Sequence, residues 1–185
     1  FGYRSYQGQE LWDSFGDFLA EKKLCQTLYK DPNWNVLQNT SEIPPESYLQ
    51  AKDLMINMLN DEQQLQKWFS RFATQLDQQA MQLIEAPLEP SEAGSLEEFI
   101  SELNNSQGLE RDLNCRIAYH TSQGKIALFI NGYEFDCKHA ADNLIQIIAC
   151  QRLVDVEQLR PMLQDLSNQE FLYQLYLQQY ILIKS

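Results

Sequence analysis

The hydrophobic pattern of this sequence changes its period at residues 86–94, and that change divides the chain into two halves. Before it, apolar residues recur at helical spacing, whereas after it they alternate in short runs as they do in strands. The stretch between contains two prolines, a glycine and acidic residues, a composition typical of a linker. The sequence therefore predicts a helical domain at 7–85, a linker at 86–94 and a second domain at 95–185.

The first half is predicted to form three helices, at about 9–24, 45–59 and 62–84. The third has the most regular pattern, because its apolar residues step by four or three positions, close to a 3.5-residue period. Spacing leaves two interpretations open: the core of one antiparallel bundle, or a subunit interface. The residues predicted to form one or the other are Leu65, Trp68, Phe69, Phe72, Leu76 and Leu83.

The second half begins with a capping box, in which Ser95 and Glu98 are expected to start a short helix that ends near Asn104. Alternating residues predict strands at 115–120 and 126–130. Asn131-Gly132 is the strongest two-residue hairpin signal, because both central positions of a type I′ turn require positive φ. A third strand is predicted from Tyr133.

Helices are predicted again at about 138–150, 155–164 and 168–179, and a closing strand at 180–183. The last helix is expected to start from a second capping box, from Ser167 to Glu170. Helices beside a small antiparallel sheet with tight turns are typical of a winged-helix-like domain. The predicted fold class is therefore α+β and mainly α: a three-helix bundle followed by a winged-helix-like domain.

The sequence offers no catalytic, cofactor-binding or metal-binding residues. Its two histidines, His120 and His139, begin no His-x-Asp, His-x-Glu or His-Glu-x-x-His motif, and a metal site needs three or more ligands in fixed geometry. No glycine-rich phosphate loop is present. Both histidines are expected to be surface or capping residues.

Four cysteines occur without a Cys-x-x-Cys pair, which indicates free thiols in a reducing cytoplasm. Cys115 and Cys137 fall in neighbouring predicted strands, so a bridge or a metal pair is an alternative to two buried structural thiols. The buried-thiol interpretation is favoured.

Net charge is −12 and is divided equally between residues 1–90 and 91–185. Nucleic-acid binding is disfavoured, because a duplex-binding module needs a basic face and a recognition helix with Lys or Arg near its start. The helix at 138–150, taken as the recognition helix, has only Lys138 there, and the turn at 121–125 offers only Lys125. Protein contact or a scaffold role is favoured. The sequence also contains no apolar run of about 18 residues that would span a membrane.

Several segments together resemble one known family. They are Ala51-Lys52-Asp53-Leu54-Met55, Gln66 to Phe72, Ala86-Pro87-Leu88-Glu89-Pro90 and Phe129-Ile130-Asn131-Gly132, with the spacing to Lys138-His139. Their order and spacing resemble the region that follows the catalytic domain in bacterial JmjC (cupin) ribosomal oxygenases, and the similarity covers essentially the whole chain. The opening Gly2-Tyr3-Arg4 is similar to the end of the last cupin strand, so residues 1–6 are expected to be that strand.

The resemblance implies a dimerisation bundle followed by a winged-helix domain, in a chain that forms a homodimer. It implies a longer parent chain, an Fe(II)- and 2-oxoglutarate-dependent oxygenase that hydroxylates an arginine of a large-subunit ribosomal protein. The iron ligands of that family have no matching positions in this sequence. The fragment is therefore expected to contribute to dimer assembly and to the placement of a basic substrate. The alternative is a free-standing acidic adaptor or a transcription-associated winged helix.

Overall fold

The computed structural model describes residues 6–24, 26–30 and 43–184. The chain separates into two compact units, Phe1–Phe69 and Ser70–Ser185. The predicted strand at 1–6 lies outside the described residues, apart from Tyr6, which is not in a strand. The described helices include none with the length and hydrophobicity needed for a membrane span.

The first unit is helical. It contains α1 (Gly8–Glu21), α2 (Pro45–Leu59) and the first turns of α3 (Glu62–Thr74). Proline at the first position of α2 has the φ that a helix start requires. Phe15, Phe18 and Leu19 of α1 are buried, and the Phe15 ring meets Trp68 edge to face with centroids 5.0 Å apart. The Trp68 indole N–H donates to the Ser14 hydroxyl at 3.1 Å, so its polar atom is satisfied.

The second unit is the α+β part. Its helices are α4 (Gln78–Met81), α5 (Pro90–Ala93), α6 (Leu96–Asn104), α7 (Asp142–Cys150), α8 (Val156–Leu159) and α9 (Leu166–Leu177), with a 3₁₀ turn at Met162–Gln164. Its strands are β1 (Gly108–Arg111), β2 (Ile117–Ser122), β3 (Lys125–Ile130), β4 (Tyr133–Phe135), β5 (Leu153–Asp155) and β6 (Ile181–Lys184).

The described strands form two small antiparallel sheets. One has the order β5-β1-β6, and the other is the meander β2-β3-β4. Asn131 and Gly132 connect β3 to β4 with φ values of 51° and 89°, as a type I′ turn requires. The predicted hairpin is thus present, and the fold class predicted from the sequence is confirmed.

One hydrophobic core fills the second unit. Helices α6, α7 and α9 supply Phe99, Leu103, Leu144, Ile148, Leu172 and Leu175, and the strands supply Leu109, Leu128, Ile130 and Ile181. The predicted capping box is present at its first long helix: the Glu98 N–H donates to the Ser95 hydroxyl, and the Ser95 N–H donates to the Glu98 carboxylate. Large-to-small changes in such a core cost roughly 2–5 kcal/mol each.

The predicted third helix at 62–84 is broken in the structure. Helix α3 ends at Thr74, and a separate turn, α4, begins after Asp77. Two side chains explain the break. The Arg116 guanidinium donates to the Gln75 carbonyl oxygen at 2.7 Å, and the Asp77 carboxylate caps α4 by accepting from the Ala80 N–H at 2.8 Å.

The division between the units falls within α3, whereas a linker was predicted at 86–94. That stretch packs within the second unit instead. The Leu88 N–H donates to the Leu177 carbonyl oxygen at 2.7 Å, the Gln179 amide donates to the Ala86 carbonyl oxygen, and Pro90–Ala93 form α5. The proline and glycine residues of this stretch favour turns, and these hydrogen bonds hold the turns against the end of α9.

Three further helical segments also differ from prediction. Helix α7 begins at Asp142 rather than near 138. The segment at 155–164 is two short pieces, α8 and the 3₁₀ turn. The last helix begins at Leu166 and is capped by Asp165, whose carboxylate accepts from the Ser167 N–H at 2.8 Å. The box predicted from Ser167 is therefore wrong, because Asp165 already provides the cap.

Candidate functional site

The end of α3 is joined to the β3–β4 hairpin by a set of side-chain bonds within the second unit. Thr74 is fully buried. Its hydroxyl donates to the Ser70 carbonyl oxygen at 2.8 Å and accepts from the Gly132 N–H at 3.1 Å. The Arg71 Nε donates to the Gly132 carbonyl oxygen at 3.1 Å. The hairpin thereby fixes the last turn of α3.

The histidines do not form a metal site. His120 lies within β2, where its Nδ1 is 2.9 Å from the Ser70 hydroxyl and its ring stacks on Phe129. His120 therefore contacts the end of α3 and the β-sheet, and it is not a surface residue at a strand end as predicted. His139 is exposed before α7. Among the residues described, no three His, Cys, Asp or Glu side chains come together to hold a metal ion.

Two of the cysteines are buried thiols. Cys115 and Cys137 are free, and burial raises the pKa of the Cys115 thiol to about 12. Burial also raises the pKa of Cys137, whose sulfur lies 3.7 Å from the Ile126 carbonyl oxygen. A thiol with a raised pKa is a poor nucleophile, because the thiolate is the reactive form. Cys150 is free and exposed.

The six residues predicted as a core or an interface do not share one environment. Trp68 and Leu76 are buried, Leu65 and Phe72 are half-buried, and Phe69 and Leu83 are 53% and 63% exposed. They also divide between the units, with Leu65, Trp68 and Phe69 in the first. Whether any of them contacts a second chain stays a prediction.

The first unit carries an exposed apolar stripe on α2 that sequence reasoning missed. Tyr48, Leu49, Met55 and Ile56 are all exposed, while Ala51, Leu54 and Met58 are half-buried. The exposed set follows an i, i+1, i+7, i+8 pattern, which places all four side chains along one side of the helix. That spacing was the available signal. A solvated helix face normally carries polar side chains there, so the stripe is a candidate interface.

The helix in the recognition position is not basic. The order α7, β5, α8, α9, β6 is that of a winged helix, and α9 follows α8 as the second helix of the pair. The recognition helix is therefore α9 rather than 138–150. From Leu166 to Leu177 it has no Lys or Arg, and Phe171, Leu172 and Leu175 are buried. Nothing in α9 matches the phosphate contacts that nucleic-acid binding requires.

Known proteins share this arrangement. The chain is 25% identical over 89 residues to the ribosomal protein uL16 3-hydroxylase of Escherichia coli (strain K12), which covers 48% of this chain and 23% of that protein. A crystal structure of the Escherichia coli ribosomal oxygenase YcfD superposes with a TM-score of 0.77 at 22% identity, and covers 98% of this chain and 47% of that one. A YcfD complex with cobalt and 2-oxoglutarate gives a TM-score of 0.76, at 22% identity and with the same coverage.

These structural likenesses establish the fold, and the chain spans about half the length of the solved relatives that it matches. A family model described as ROXA-like winged helix matches residues 57–181, which is more than half of the chain. This chain therefore belongs to the ROXA-like winged helix family.

Proposed function

We propose that this chain is the non-catalytic dimerisation and substrate-placement region of a longer cytoplasmic oxygenase that hydroxylates an arginine of a large-subunit ribosomal protein. The observation that carries the proposal is the superposition of 98% of this chain on about half of a ribosomal oxygenase. The part that is matched here contributes helices and a winged helix rather than a group of metal ligands within its described residues.

In this proposal the reaction takes place in the other half of the parent chain. A related structure holds cobalt with 2-oxoglutarate, and we take the cobalt to stand in for Fe(II). Fe(II) and 2-oxoglutarate are accordingly assigned to the parent and not to this region. The residues described here offer protein-contact surfaces, and the net charge of −12 would attract a basic ribosomal protein over long range.

The proposal is tested by comparing two proteins: this chain, and a longer chain in which it follows a JmjC domain. Each is incubated with the large-subunit ribosomal protein, Fe(II) and 2-oxoglutarate, and the product is analysed by mass spectrometry. We expect one added oxygen on an arginine with the longer chain and none with this region alone. Oxygen added by neither would refute the assignment, and oxygen added by this region alone would place catalysis within it.

Dimerisation is proposed to use the apolar stripe on α2. Four exposed apolar side chains lie together on that helix, and apolar surface of this kind gains free energy when it is removed from water, about 25 cal/mol per Å². Lys52 lies among them at helical spacing, so its aliphatic stem can add to the same contact. A second copy is the occupant proposed, because homodimers join identical surface patches across a two-fold axis.

Dimerisation predicts that the chain sediments at twice its mass of 21.6 kDa. Ile56→Asp places a charge within the stripe and is expected to raise the dimer dissociation constant by about 30-fold or more, or about 2 kcal/mol. Asn57→Asp introduces the same charge at the next position, on the polar side of α2, and is the matched control. Sedimentation velocity at several concentrations measures both.

Wild-type chain that stays monomeric at every concentration would contradict dimerisation. Equal effects of Ile56→Asp and Asn57→Asp would instead contradict the use of α2, since only one of the two charges enters the stripe. Circular dichroism of both variants checks that each remains folded.

A further inference from the structure

A small pocket lies in the second unit beside β6. Its volume is about 40 Å³, well below the ~300 Å³ at which small-molecule sites begin. It has room for the end of one side chain rather than for a cofactor. The lining residues that matter are Glu85, Asp112, Asn131, Tyr180 and Leu182.

Two acidic residues, Asp112 and Glu85, line this pocket. Asp112 accepts from the Asn114 N–H at 2.7 Å, and in the described part of the chain neither Asp112 nor Glu85 forms an ion pair. The nearest arginine in sequence, Arg111, directs its guanidinium to the Ala149 carbonyl oxygen at 2.9 Å. Residues 72–110 contain eight Asp or Glu and no Lys or Arg. Arg116 follows the lining residue Cys115, and its guanidinium donates to the Gln75 carbonyl oxygen at 2.7 Å and pairs with Asp77.

Several exposed apolar residues line the pocket or lie within two residues of its lining. Leu83 precedes the lining residue Ile84, and Leu113 follows Asp112 and is 73% exposed. These two segments are in contact, because the Asn114 side-chain amide donates to the Leu83 carbonyl oxygen at 3.4 Å. Tyr133, two residues after the lining residue Asn131, is 70% exposed, and Leu182 lines the pocket itself. A surface that combines acidic residues with neighbouring exposed apolar residues fits an extended segment with alternating apolar and basic side chains.

We propose that this surface, the acidic pocket with its rim of Leu83, Leu113, Tyr133 and Leu182, docks a basic protein segment that places one Arg or Lys side chain between Glu85 and Asp112. The charge is complementary to such a segment and repels the phosphates of a nucleic acid. Charge-assisted hydrogen bonds hold a cation better than neutral ones, and the rim supplies apolar contact on either side. The proposal deepens the placement role given above, and rests on it only for the identity of the partner.

The test uses the whole 185-residue chain and two fluorescein-labelled nonapeptides, one with Leu-Arg-Leu at its centre and one with Leu-Gln-Leu. Fluorescence anisotropy at low salt is expected to show about fivefold tighter binding of the arginine peptide. Glu85→Gln should abolish that preference. Glu97→Gln removes the same charge from an exposed position on α6 and should leave the preference intact. Leu113→Ser should weaken the binding of both peptides.

Equal binding of the two peptides would overturn the proposal, as would equal effects of Glu85→Gln and Glu97→Gln. If Leu113→Ser changed the sedimentation of the chain and neither peptide bound, the rim would be a contact between copies, which also overturns it. Peptide binding and the α2 dimer are measured separately, so either can fail alone. Circular dichroism checks the fold of every variant.

Discussion

Replacing Gly108 by alanine is expected to destabilise the second unit by about 4 kcal/mol, because strain and overpacking act together at this residue. Gly108 has a φ of 138° at the start of β1. A Cβ there would lie 2.0 Å from the Val154 carbonyl oxygen and 2.9 Å from the Val156 nitrogen. Both atoms belong to backbone, so neither can swing aside as the end of a flexible side chain would.

The destabilisation is expected to extend to strands β5 and β6, because Gly108 lies where β1 pairs with both of them. It is opposite Asp155 of β5 and Lys184 of β6. Relieving the contact requires β5 to move away from β1, which breaks the pairing of Leu109 with Val154, two buried residues. A loss of this size is a large fraction of the ~5–15 kcal/mol that stabilises a typical domain.

Gly124→Ala is the matched control. Gly124 has a φ of 73° in the β2–β3 turn, and a Cβ there would meet nothing within 4 Å. Only the left-handed backbone is then penalised, by about 1 kcal/mol. Urea unfolding followed by far-UV circular dichroism measures both variants. Residues 70–185 contain no tryptophan, so tryptophan fluorescence does not report the second unit and serves as a separate probe. Equal losses for the two variants would contradict the clash.

Features that depend on neighbouring residues could be predicted from the sequence. The Asn131-Gly132 turn, the Ser95–Glu98 box and the bounds of α2 each depend on a few adjacent residues, and each is present. Their signals are strong because positive φ and unpaired helix amides each suit few residue types. The order of elements then follows, which is why the fold class was correct.

Features that depend on distant partners were missed. Strands β1 and β5 are four and three residues long, too short to show alternation, and β1 forms its hydrogen bonds between β5 and β6. The break after Thr74 depends on Arg116, and the packing of Leu88 depends on the end of α9. A single sequence does not indicate which of these segments will meet.

The candidate surfaces show the same limit. Helical spacing of apolar residues predicted the α3 pattern, and the same kind of spacing is present in the α2 stripe. Spacing does not tell which apolar residues face the core and which are exposed, because only the burial in the folded chain distinguishes them. The acidic pocket could not be predicted at all. Glu85, Asp112 and Asn131 come from three separate segments, each unremarkable on its own, and the folded chain brings them together.

Replacing Asn168 by alanine is expected to cost about 3 kcal/mol, the second large effect. Asn168 is buried in the first turn of α9 and connects two other segments. Its Oδ1 accepts from the Ala141 N–H at 2.8 Å, at the start of α7, and its Nδ2 donates to the Met162 carbonyl oxygen at 2.9 Å. Alanine leaves the half-buried Ala141 N–H without its acceptor, at about 1–3 kcal/mol. It also removes one of two donors to the Met162 carbonyl oxygen, which still accepts from the Asp165 N–H at 3.3 Å, and this loss costs about 0.5–1.5 kcal/mol.

Asn105→Ala separates this effect from the loss of an ordinary side-chain bond. Asn105 is exposed after α6, and its amide donates to the Ser101 carbonyl oxygen at 2.8 Å, which water can replace. Its removal is expected to cost less than about 0.5 kcal/mol. Urea unfolding by circular dichroism compares the two variants. If Asn168→Ala lowered the free energy of unfolding no more than Asn105→Ala, water would have to replace the Asn168 amide at the Ala141 N–H and the Met162 carbonyl oxygen. The packing of α9 against α7 would then not depend on this side chain.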